Sequence, residues 1–200
     1  MHTLDDVVDA AARGDADAFG VLWAHLSPAV AAYFRAHAVD EVDDLTSEVF
    51  LAAFRSVATV TDGADQFRGL LFSIAHRRYV DWVRRRVRRG PLLPYEPALD
   101  GRCSASAEEA AVARLGGQRA LALLDALTLD QREVIALRVL GDLTLEQTAQ
   151  VLGRDVGSVK SLQHRGLARL RRRLEEEESE RVSARPYPER APARWEARHV

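Results

Sequence analysis

Apolar residues recur along this chain with the 3.6-residue period of helices, and nowhere with the alternation of half-buried strands. Phe19, Leu22, Trp23 and Leu26 form one stripe, and Asp15 after Gly14 supplies its N-cap. Leu45, Val49, Ala52 and Ala53 form a second. A third runs through Phe67, Leu70, Leu71, Ile74 and Ala75 and continues to Val80 and Val83. Farther on, Ser106/Glu109, Thr128/Gln131 and Thr144/Gln147 each match the S/T-x-x-E/Q capping box, in which two orphan backbone N–H groups are satisfied reciprocally. Leu121, Leu124, Leu127, Val134, Ile135, Leu137 and Leu140 supply the apolar faces there, with Gly116-Gly117 and Gly141 as breaks. The fold class expected is all-α.

Proline marks the boundaries. Pro91, Pro94 and Pro97 fall together, as do Pro186, Pro188 and Pro192, and each removes a backbone donor and disfavours helix. The pattern predicts two small helical domains, 1–89 and 107–176, joined by a flexible linker at 90–106. A tail at 177–200, too poor in apolar residues to form a core, is expected to be disordered.

Composition narrows the function classes. With 200 residues, 47% apolar and 29% charged, the chain is ordinary globular material. Its one cysteine, Cys103, excludes an intramolecular disulfide framework and any multi-cysteine metal site. The start carries no basic leader, and no apolar run approaches the ~20 residues that cross a bilayer. A cytoplasmic protein without membrane insertion is expected. Six scattered histidines show no H-E-x-x-H spacing, and no Walker or G-x-G-x-x-G loop occurs. No catalytic residue, metal or cofactor is therefore expected; His25 and His37 read as helix-surface residues.

A net charge of −2 conceals strong segregation. Residues 76–89 hold seven arginines against Asp81, and residues 154–173 hold six arginines and Lys160 against Asp155, so each block carries +6. Acids are grouped too, at Asp40, Glu41, Asp43, Asp44 and Glu48, and again from Glu175 to Glu180.

The second basic block belongs to a recognisable motif. Thr144 to Leu152 reads as a short helix, Gly153-Arg154 as a turn, and Asp155 as the cap of a further helix from Val156. Ala149, Gly153 and Val159 then fall where a helix-turn-helix needs a small residue, a left-handed turn and an apolar pin. Ser158, Lys160, Ser161, Gln163, His164, Arg165 and Arg169 are left facing outward, nearly all donors suited to phosphates and major-groove edges of duplex DNA. In the first block arginines interleave with aromatics, the combination that tracks backbone phosphates and stacks on unpaired bases. Phe67 and Phe72 sit on the apolar stripe and read as core.

In this order and spacing, Asp43-Asp44-Leu45-Thr46-Ser47-Glu48-Val49-Phe50, Phe67 to Ala75, Asp81 to Arg86, and Leu129 to Leu170 with Val159-Lys160-Ser161 resemble bacterial RNA polymerase sigma factors of the extracytoplasmic-function (ECF) subgroup. The resemblance implies a sigma-2 and a sigma-4 domain, with core RNA polymerase and promoter DNA as partners and an anti-sigma factor as a further one. It places Asp43, Asp44, Leu45, Glu48 and Phe50 on the clamp helices of the β′ subunit, and Leu124, Leu127, Val134 and Leu137 on the β flap. His76, Arg77, Arg78, Tyr79, Trp82 and Arg85 would open and read the −10 element. Ser158, Lys160, Ser161, His164, Arg165 and Arg169 would take the −35 element as duplex. The family commonly has Trp at Leu70, Asn at Arg77 and Arg-Leu at Leu162-Gln163. The alternative, a stand-alone helix-turn-helix regulator, explains residues 144–170 but leaves the acidic helix and the arginine/aromatic block without a task.

Overall fold

A computed structural model describes residues 3–89 and 119–183. The proline-rich linker, the Ser106/Glu109 box, Gly116-Gly117 and the tail beyond residue 183 lie outside the described residues. All regular structure among the described residues is helical. The first module comprises α1 (Leu4–Ala12), α2 (Ala16–Ala36), α3 (Val42–Ser56) and α4 (Gly63–Arg89), with a 3₁₀ turn at Val57–Thr59. The second comprises α5 (119–125), α6 (Leu129–Ile135), a π-helical turn at Ala136–Leu140, α7 (Leu145–Leu152) and α8 (Val156–Ser183).

Local chemistry sets the helix starts. Asp15 accepts from the backbone of Asp17 and Ala18, and Thr128 with Gln131 and Thr144 with Gln147 close as reciprocal boxes. The helix α1, which hydrophobic periodicity did not disclose, starts on a box of the same kind between Thr3 and Asp6. Asp5, on that helix, reaches across to accept from the backbone of Ala64 and caps α4. Pro28 does not interrupt α2, because Leu22, Leu26, Val30 and Phe34 hold both sides of it against one core. The helix α8 also runs past the expected end of its domain: 177–183 continue it, with Arg173 paired to Glu176 and Glu177.

The core of the first module is aromatic. Phe19 packs on Phe54 at 4.6 Å between centroids, Trp23 on Phe50 at 4.7 Å, and Phe72 meets Tyr33 edge-on. Phe67 and Phe72 are fully buried, as their stripe predicts. This core does not end at the module boundary, for Ala136, Leu137 and Leu143 belong to it. A smaller cluster of Val134, Ala149, Val159 and Leu162 holds α6, α7 and α8 together.

Candidate nucleic-acid interface

The helix-turn-helix forms as its offsets require. Gly153 ends α7 at φ 61°, a left-handed conformation that a Cβ would strain. Asp155 then caps α8 by accepting from the backbone of Ser158 at 2.7 Å. Buried Val159, Leu162 and Gly166 face α6 and α7, and this orients the opposite face outward. Lys160, Ser161, His164, Arg165 and Arg169 lie on that exposed face, and Ser158 at its edge is half-buried. Lys160, His164 and Arg169 make no ion pair among the described residues. Arg165 donates through Nε to the carbonyl of Ser161, which steadies the side chain and leaves its Nη groups outward. Gln163, expected on the outward face, is instead half-buried, because it accepts from Nε of Arg138 and is tied into the module.

The basic face of α4 is only partly free. Arg77, Arg88 and Arg89 are exposed, whereas Arg78 pairs with Glu48 at 3.5 Å, Arg84 with Asp81 at 3.4 Å, Arg85 with Glu41 at 3.8 Å and Arg86 with Asp40 at 2.9 Å. The sequence expectation that Trp82 offers a stacking face is corrected by its surroundings. Its ring is 7% exposed, its indole Nε1–H donates to Asp40, and the guanidinium of Arg86 lies 5.0 Å from the ring centroid. Asp40 thus fixes both the aromatic and the cation.

His76 and Tyr79 are half-buried beside a group that the sequence reading misplaced. His37, expected on a helix surface, is 7% exposed because the end of α2 folds its ring between Tyr33 and Tyr79. Nδ1 of His37 hydrogen-bonds the carbonyl of Tyr33 at 2.7 Å, and Nε2 has no partner. Burial, above the opposing effect of that bond, brings the pKa of His37 down to about 4. The Tyr33 hydroxyl shares a hydrogen bond with Nδ1 of His76 at 3.1 Å, and burial lowers the pKa of His76 as well. Burial raises both tyrosines above their ordinary range.

On α3 the acids and the apolar residues separate. Asp43, Asp44 and Glu48 are exposed, but Leu45 and Phe50 are core, each 1% exposed, because at 100° per residue they point from a different side of the helix, the one against α2 and α4. Their side chains hold α3 in place and are not contact surface. The apolar residues available beside the acids are Leu51, 60% exposed, and Trp23, 39% exposed, neither of which the motif reading singled out. No group of three or more His, Cys, Asp or Glu side chains among the described residues is placed to hold a metal ion, and none of the described helices is long and apolar enough to cross a membrane.

Comparison with known proteins agrees with this geometry. The profile for sigma-70 region 2 matches residues 22–89, and that for sigma-70 region 4 matches residues 117–170. The ECF RNA polymerase sigma factor ShbA of Streptomyces griseus is 33% identical over 82% of this chain and 92% of its own length. SigD of Mycobacterium tuberculosis is 34% identical over 84% and 82% respectively. BldN of Streptomyces coelicolor is 32% identical over 84% of this chain, which spans 65% of that longer relative. Among solved structures, CnrH in complex with the cytosolic domain of CnrY superposes with a TM-score of 0.61 at 26% identity, over 86% of this chain and 97% of that one. The sigma factor RpoE bound to the anti-sigma factor NepR from Bartonella quintana shares the fold, at a TM-score of 0.58 and 23% identity over 78% and 96%. A region-2 and a region-4 module in one chain, with similarity to ShbA and SigD over more than two thirds of each chain, make this protein a member of the sigma-70 family, in its extracytoplasmic-function branch.

Proposed function

We propose that the chain directs core RNA polymerase to promoters by dividing recognition between its two modules. The exposed face of α8 takes the −35 element as duplex, through Ser161, His164 and Arg165 in the groove and Lys160 and Arg169 on phosphate. The observation that carries this reading is the outward row of donors on α8, which follows the left-handed turn at Gly153 and has Lys160 and His164 without an ion pair among the described residues.

The exposed end of α4 takes the −10 element, where Arg77, Arg88 and Arg89 supply charge for phosphates and His76 and Tyr79 line the place an extruded base would enter. Extruding that base costs a few kcal/mol, which stacking against these rings must offset. Arg78 and Arg85 serve the same face once Glu48 and Glu41 release them, and Trp82 supports it from below. The α3 surface of Asp43, Asp44 and Glu48, with Leu51 and Trp23 beside it, suits a basic partner with an apolar centre, as the β′ clamp helices would provide. Leu124, half-buried, is the most accessible of the residues assigned to the β flap. CnrH was captured with CnrY on it, and a protein regulator of the anti-sigma class is the corresponding partner for this chain.

The deciding experiment is transcription in vitro with core enzyme on genomic DNA, followed by mapping of start sites. Start sites that appear only with the chain present, and that share two spaced elements, bear out the reading. Tight binding of the chain alone to an operator, with no change in start sites, would make it a stand-alone regulator.

A further inference from the structure

Two carboxylates stand beside the last turns of α4, where they oppose the binding of DNA. Asp40 and Glu41 close the turn between α2 and α3, just ahead of the exposed acids Asp43 and Asp44. Oδ2 of Asp40 accepts from Nη1 of Arg86 at 2.9 Å, and Oδ1 accepts from the indole of Trp82 at 3.1 Å. That indole is buried, so the carboxylate is pinned to the module and does not follow the arginine when the arginine moves. Glu41 stands 3.8 Å from Nη2 of Arg85. With Trp82 and Arg89, these two acids and two arginines line one small cleft. Arg88 and Arg89 at that end carry no ion pair among the described residues.

Stability does not account for these pairs. Asp40, Glu41, Arg85 and Arg86 are all substantially exposed, and pairs of that kind add little to folding. Their effect on binding is larger. Arg85, Arg86, Arg88 and Arg89 present +4 within five residues, and the two carboxylates halve it. Attraction to DNA of any sequence follows the number of cations free to replace counterions on phosphates. For each tenfold rise in salt, log K falls by about 0.9 per duplex contact and about 0.7 per single-strand contact. An arginine that already holds a carboxylate exchanges one anion for another, and gains little from a phosphate alone. On the melted −10 strand the exchange is offset by a second source, the stacking of unpaired bases on nearby rings, which paired duplex does not offer.

We propose that Asp40 and Glu41 are specificity-determining residues of the −10 reader. They hold Arg86 and Arg85 back from arbitrary DNA and yield them where bases stack as well. The proposal rests on the division of recognition argued above. Arg88 and Arg89 supply the general hold on phosphates, and the paired arginines add theirs only at the right strand. Neither acid touches the nucleic acid; each acts through the arginine it holds.

The test neutralises both acids while keeping their shape. Asp40→Asn retains an oxygen for the Trp82 indole, and Glu41→Gln retains the length of the side chain. Full-length wild type and the double variant are each assembled with core enzyme. Binding is measured over a salt series to a melted −10 probe from a mapped start site and to a scrambled, fully paired duplex. The expected result is a salt slope on the scrambled duplex steeper by about one to two units for the two freed arginines. If the attraction vanishes near 1 M salt, that slope corresponds to a gain of up to about tenfold per arginine at 0.1 M. Slope and affinity on the −10 probe change much less, so discrimination falls. In an Arg85→Gln, Arg86→Gln background the same two substitutions are expected to leave the slope unmoved, which separates action through the arginines from a merely structural role. An unchanged slope on the scrambled duplex, a parallel change on both probes, or loss of core capture by the double variant overturns the proposal. Should the double variant fail to fold, Glu41→Gln alone decides, because that side chain makes no cap bond to α3. About half the slope change then supports the proposal, and none overturns it. If wild-type holoenzyme does not prefer the −10 probe to the scrambled duplex, the functional reading fails instead.

Discussion

The two outward cations of α8 give the most discriminating perturbation of the proposed −35 reader. Lys160 and Arg165 are exposed and make no ion pair among the described residues, so replacing either with alanine changes stability by no more than about 0.5 kcal/mol. Their effect on binding separates by what each touches. Arg165 spends Nε on the Ser161 carbonyl and presents its two Nη groups, the pair that a guanine edge accepts bidentately. Loss of that contact costs about 1–3 kcal/mol, roughly 5- to 150-fold, and relaxes preference at one base pair. Lys160, a point charge with no fork, is expected on phosphate, and its loss flattens the dependence of log K on log salt by about one unit at every sequence tested. The assay is competition of holoenzyme for a duplex −35 probe and its single-base variants, at several salt concentrations. A double variant that keeps wild-type affinity, sequence preference and salt slope refutes the placement of α8 in the groove.

Other consequences are open to direct measurement. Asp44→Lys with Glu48→Lys is expected to abolish capture of the β′ clamp while moving the urea midpoint little, since the broken Arg78 pair is exposed and such pairs contribute about 0–1 kcal/mol; retained capture would reject that face. Trp82→Ala should cost about 3–5 kcal/mol in urea unfolding, because the ring is packed; Trp82→Phe should cost only about 1 kcal/mol for the lost bond to Asp40. Equal, small effects of the two would show that the ring is free. Stability is expected to be full above about pH 6.5 and to fall as pH drops toward about 4. Over that window unfolded His37 takes a proton that the buried ring refuses, and His76 acts in the same direction. His37→Phe should flatten that part of the curve, and an unchanged slope would place the titration elsewhere.

The sequence by itself determined what depends on neighbours three or four residues apart. Caps at Asp15, Thr128, Thr144 and Asp155 and the apolar stripes of α2, α3 and α4 are such relations, as is the turn at Gly153. A backbone that must satisfy its own donors within one turn leaves these visible in one dimension. The outward row on α8 was legible for the same reason. Partners far along the chain were not: Asp40 meets Trp82 and Arg86 across 42 and 46 positions, and nothing near either residue announces the other.

Tertiary structure also decided which side of a motif is buried. Leu45 and Phe50 share a segment with exposed Asp44 and Glu48, and only the placement of α2 and α4 turns the first pair inward and the second pair out. His37 reads as a polar helix end until Tyr33 and Tyr79 close around it. The joining of the two cores through Leu137 and Leu143 belongs to the same class. Apolar periodicity states that a face must be covered and is silent about what covers it, since hydrophobic burial has no direction of its own.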